Sequence, residues 1–166
     1  MVDPLAASEN KIHRLFEKML INNLPLPDSL IELLSSGKWE RPIDVNKLKE
    51  LTKFESPQYL IFLGLASIEG ETNSAIELVT EGYGRYYSIN SSRATGRSIV
   101  NSNTLDVDKA LIIAVNQDEE VICLDYRESL EAPIVVVSVY QHGTECEFKV
   151  IAETFDEFAI KIGLKE

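Results

Sequence analysis

The chain has 166 residues and a formal net charge of −11, with 45% hydrophobic and 26% charged residues. That length suits a single domain, taken here as 1–166 with its core at about 10–165, and the balance of residues is ordinary for a globular protein. No run of about 18 apolar residues crosses a membrane, and the surface charge repels nucleic acid and anionic lipid while attracting a basic protein, although on charge alone the plainer reading is that acidity keeps the protein soluble.

The start, "MVDPLAASEN", lacks a basic segment and an apolar h-region, so no secretory signal is read and the cytoplasm is the expected location. Cys123 and Cys146 are the only cysteines. Both fall in expected strands and read as small buried hydrophobes rather than as a disulfide. There is no CxxC and no Cys–His cluster, so neither a metal nor any other cofactor is expected.

Ile12, Leu15, Phe16, Met19 and Leu20 recur at helical spacing and predict a helix over 8–23, capped by Ser8. His13 borders that stripe and reads as boundary packing. Pro25 and Pro27 then break the chain. Asp28 as N-cap and Gly37 as stop enclose a short helix carrying Leu30, Ile31, Leu33 and Leu34. Asp44 opens another, with Val45, Leu48 and Leu51 facing inward and Pro57 beyond its end.

The pattern then turns strand-like. "YLIFLGLA" (59–66) predicts a buried strand, and "AIELV" (75–79) with "GRYYSI" (84–89) a hairpin. Residues 90–104 are polar and read mainly as a loop, with a short strand conceivable at "SIV". "ALIIAV" (110–115), "EVICLDY" (120–126), "PIVVVSVY" (133–140) and "CEFKVIA" (146–152) predict four strands. Residues 116–119 form an acidic turn between the first two. "TFDEFAIKIG" predicts a closing helix, with Thr154 and Glu157 as a capping box and Phe155, Phe158, Ala159 and Ile162 inside. Helices first, then strands, then one helix is the order of an α+β domain with a mostly antiparallel sheet.

Chemistry is sparse along this chain. "RATGRS" (93–98) lacks the lysine and spacing of a Walker loop, although Arg93, Arg97 and backbone N–H groups can hold a phosphate. The plainer reading is a solvated loop. "GYGRYY" (82–87) is not a dinucleotide fingerprint, because tyrosine stands where the third glycine belongs. His142, near Glu145, has no nucleophile context and reads as a turn residue. Asp118, Glu119 and Glu120 suit a solvated tip better than an acid/base pair.

"ALIIAVNQDEEVICLDY", "APIVVVSVYQHG" and "AETFDEFAIKIG" together resemble the SMI1/KNR4 family of the SUKH superfamily, and "LPLPDSLIELLSSGKW" is similar to its Leu-Pro-led early helix. The chain departs from that pattern at Gln117–Glu120, where the family often has Gly-Asp, and at Ser35–Gly37, where it often has Asn-Gly-Gly. The resemblance implies a SUKH-like α+β fold that binds a protein and has no known catalytic residues. Bacterial members resemble immunity proteins that neutralise a polymorphic toxin, many of them nucleases. Fungal members resemble regulators of cell-wall synthesis. With little more than one bare domain, the bacterial reading is preferred, a basic toxin domain being the expected partner. An intracellular regulatory or scaffold domain is the alternative, and a phosphate-binding enzyme using His142, Arg93 and Arg97 comes third. Exposed acids and aromatics are the expected contacts: Trp39, Tyr83, Tyr86, Asp118, Glu119 and Glu120. Trp39 serves equally as a cover for the core. Asp125, at a strand end, is expected to be a structural anchor accepting turn N–H groups, with partner binding the second reading and catalysis the third.

Overall fold

The centre of the sheet is a strand with no polar side until its last residue. Val121, Ile122, Cys123 and Leu124 have no exposed surface, and Asp125 closes the strand. A strand covered on both faces reads as such an unbroken apolar run. A computed structural model of the protein describes residues 19–39, 44–82, 89–117, 119–141 and 145–166.

In chain order the elements begin with a small hairpin, β1 (Leu20–Ile21) and β2 (Leu24–Pro25). Helix α1 (Asp28–Ser36) and helix α2 (Val45–Thr52) follow. A 3-10 turn, Pro57–Tyr59, leads into β3 (Ile61–Phe62) and then α3 (Leu65–Thr80). After β4 (Ile89–Asn90), α4 (Ser92–Thr95) and β5 (Leu105–Asp106) come the main strands. These are β6 (Ala110–Val115), β7 (Val121–Asp125), β8 (Ile134–Gln141) and β9 (Glu145–Ala152), closed by α5 (Phe155–Lys161). The five-stranded sheet has the order β3-β6-β7-β8-β9, antiparallel throughout, and β4 pairs with β5 in parallel. The fold is mixed α+β with a mostly antiparallel sheet, as expected. Among the described residues no helix is long and apolar enough to cross a membrane.

Helix α5 packs on β8 and β9, α1 leans on α5, and α3 lies along β6. Trp39, Phe62, Phe155 and Phe158 join these layers: Trp39 stacks on Phe62 at 4.4 Å between ring centroids and meets Phe155 at 5.7 Å. Local signals explain the helix ends. Asp44 accepts the N–H groups of Asn46 and Lys47 and so caps α2. Gly37 takes the left-handed conformation (φ 74°) after α1, which an L side chain adopts only with strain. Thr154 accepts the N–H of Glu157, whose carboxylate in turn takes the N–H of Glu153.

Several expectations are corrected. Of the helix predicted over 8–23, residues 8–18 lie outside the described residues, but Leu20 and Ile21 are a strand. Asn22 and Asn23 both have positive φ (54° and 65°) and turn the chain back onto Leu24. That two-residue turn matches the twist of paired strands, and asparagine tolerates it. Asp28 is the first residue of α1 rather than its cap, which is Pro27. Val45 is exposed and Leu51 half-buried, so Leu48 alone of the three is deep in the core. The strand predicted over 59–66 shrinks to Ile61–Phe62 at the sheet edge. "AIELV" is not a strand at all: it is the end of α3, where Ile68, Thr72 and Ala75 make the buried face. No strand forms at 98–100. Residues 84–88 of the predicted hairpin lie outside the described residues.

Candidate partner-binding site

Asp125 is almost fully buried, and the chain itself satisfies it. Its carboxylate accepts the N–H of Arg127 at 3.0 Å. It also meets the guanidinium, with Nε 3.1 Å from each oxygen and Nη2 2.8 Å from Oδ2. The third guanidinium nitrogen, Nη1, donates to the carbonyls of Ile99 and Asn101 at 3.0 and 2.9 Å. A two-pronged guanidinium–carboxylate pair of this kind is strong and geometrically specific. Through it the end of β7 holds the segment after α4. The same segment reaches β9, where the Phe148 N–H donates to Asn103.

Beside this pair lies a cleft of about 400 Å³, bordered by Ile99, Val100, Lys109, Glu128 and Val150. A carboxylate engaged on both oxygens by one arginine is poorly placed to take a proton from a substrate or to hold a metal. Cys123, in the same strand, is no nucleophile either, because burial and then the nearby Asp125 charge push its thiol far up. Among the described residues no group of three or more His, Cys, Asp or Glu side chains can hold a metal ion.

The loop that can hold a phosphate is filled from within. Backbone N–H groups at the start of α4 point at the protein's own carboxylates: Ser92 donates to Asp106 and Arg93 to Asp108. Ser91 caps the turn by accepting from Ala94 while its hydroxyl donates to Asp108. An anion arriving there meets two carboxylates where a phosphate nest offers free N–H groups. Arg93 and Arg97 remain exposed on the rim. His142 lies outside the described residues.

The expected contact residues fall in different places. Trp39 has no exposed surface; its Nε1–H donates to the Leu63 carbonyl at 2.9 Å. It therefore covers the core, and its anchor role is corrected: a fully buried indole offers a partner no surface. Tyr83, Tyr86 and Asp118 lie outside the described residues. Glu119 and Glu120 are half-exposed in the turn between β6 and β7. Glu119 has positive φ (63°), and Asn116 organises the turn, accepting the Glu120 N–H and donating to the Glu120 carboxylate at 2.7 Å.

Sequence reasoning missed two residues beside this acidic turn. Ile61 pairs with Val115, the last residue of β6, so the chain just before β3 lies level with the turn. Tyr59 and Ile61 are 63% and 61% exposed, among the most exposed large apolar side chains of the molecule. Their position in an apolar run pointed to burial, and only the sheet order reveals that the run lies on an edge.

The family model described as SMI1 / KNR4 family (SUKH-1) matches residues 6–161. No curated protein and no solved structure matches.

Proposed function

Because the chain belongs to the SMI1/KNR4 family (SUKH-1), we propose that it is a non-enzymatic protein-binding domain, an immunity protein that sequesters a basic toxin domain. Family membership carries this reading. Three features support it. The net charge of −11 favours fast association with a basic partner, and carboxylates can lie where a nuclease cleft receives phosphates. Acidic and apolar groups occur together at one end of the sheet. Both cysteines are buried thiols, which suits a reducing interior such as the cytoplasm. In this reading Asp125 is an anchor of the scaffold and Glu119 and Glu120 belong to the contact face, as Asp118, Tyr83 and Tyr86 do.

The test is affinity capture of the tagged protein from its native lysate at low and moderate salt. Any captured protein with a basic C-terminal domain is then expressed in cells with and without this chain. Rescue of growth by the chain is the expected result. Retention only of regulatory proteins, with no toxicity to relieve, refutes the immunity reading in favour of a regulatory scaffold.

A further inference from the structure

The five-stranded sheet has two outer strands, and they are protected unequally. β9 carries Glu147 and Lys149, and its Phe148 N–H is taken by Asn103. Charge and a covering segment are the ordinary means of blunting an edge. At the other side, α3 covers part of β6: Thr72 Oγ1 accepts the Ile112 N–H at 3.0 Å where β3 has ended. Among the described residues, β3 itself shows neither device. It bears no charge, Ile61 stands out from it, and Tyr59 stands out from the 3-10 turn just before it. The Leu63 N–H donates to Ile113, so by strand alternation the N–H and C=O of Phe62 point away from β6.

The register Ile61–Val115 sets this edge level with Glu119 and Glu120 in the β6–β7 turn. We propose that the β3 edge and the acidic β6–β7 turn form one docking surface, on which an extended, basic segment of a partner protein adds as a sixth strand. Main-chain bonds to Phe62 supply the pairing, Tyr59 and Ile61 receive apolar side chains, and the turn attracts lysine or arginine. A second copy of this acidic chain is the poorer occupant, since pairing two edges brings two strongly negative molecules together. This inference rests on the protein-binding reading above and gives that reading a surface.

The probe is a short synthetic peptide of alternating Lys and Val. A control peptide keeps the lysines and replaces each valine by proline, which cannot pair. Backbone amide NMR and hydrogen exchange on the full chain report the site. Expected are slowed exchange at Phe62 and shifts confined to 59–62 and 115–121, with the first peptide only. Ile61→Lys abolishes them, and Glu119→Gln or Glu120→Gln each weakens binding about two- to five-fold at low salt. Shifts along β9, equal effects from both peptides, or protection of Phe62 by self-association overturn the proposal.

The toxin assay separates the two claims. Rescue by the wild type but not by a folded Ile61→Lys variant supports this surface. Rescue by both overturns the surface and leaves the immunity reading standing. If the wild type rescues nothing, the immunity reading fails and the peptide result decides the surface by itself.

Discussion

Arg127 holds Asp125 with two of its guanidinium nitrogens and the Ile99 and Asn101 carbonyls with the third. One side chain thereby joins the central strand to a segment about 26 to 28 residues earlier in the chain. Asp125→Ala leaves that guanidinium half-partnered in a site that is only 15% exposed. The expected cost is about 2–3 kcal/mol in urea unfolding. Arg127→Lys keeps the charge and loses the fork, so the 98–104 segment is cut faster by protease while the melting temperature falls less. Unchanged melts in Asp125→Ala remove the anchor role.

Thr72 stands in for a missing strand. Its hydroxyl is the ladder partner of Ile112 beyond the end of β3. Thr72→Val preserves shape and strands a buried N–H, at about 1–3 kcal/mol. Thr72→Ser keeps the bond and costs about 1 kcal/mol for the lost methyl. Exchange at the Ile112 amide distinguishes them, rising only in the valine variant.

Trp39 belongs to the core, and its substitutions follow from that. Trp39→Ala opens a cavity among Phe62 and Phe155 and costs about 3–5 kcal/mol. Trp39→Phe keeps most of the packing but leaves the Leu63 carbonyl without its donor. A folded Trp39→Phe protein binds its partner with wild-type affinity by calorimetry, because nothing of the ring reaches the surface.

Asp156 gives the acid limb of the stability curve a recognisable component. The Ser29 hydroxyl, and then Lys165, hold its carboxyl below the usual carboxylate range. A folded-state value lower than the unfolded one stabilises above the unfolded pKa, and that contribution is lost as pH falls through the folded value. The group is more than half exposed, so the effect is small. Ser29→Ala raises the Asp156 pKa towards its ordinary value by NMR titration and flattens the loss of stability below about pH 4.

The four long strands and the closing helix were legible because each carries its own signal: an apolar run bounded by turn residues, or a capping pair before a helical stripe. Their boundaries differ from expectation by a residue or so. Asp125 was legible as a polar end to an apolar run, but its partner Arg127 was not singled out, since two residues along a chain do not reveal a fork reaching back to Ile99. Helix α3 was misread because Thr72, a polar residue, sits in the middle of its buried face. Its apolar period is broken by the hydroxyl that Ile112 needs.

Composition, periodicity and the resemblance determined the α+β class, the family and the acidic character of the surface, since these depend on residue identity and short-range spacing. Only the tertiary structure decided which apolar residues are inside. Trp39 and Ile61 are both large, apolar and close to turns. One is sealed beneath Phe62 and Phe155 and the other is open on an outer strand. Strand order puts Ile61 on an outer strand, while Trp39, which lies on no strand, is buried because the packing of the closing helix on the sheet brings Phe155 and Phe62 around it.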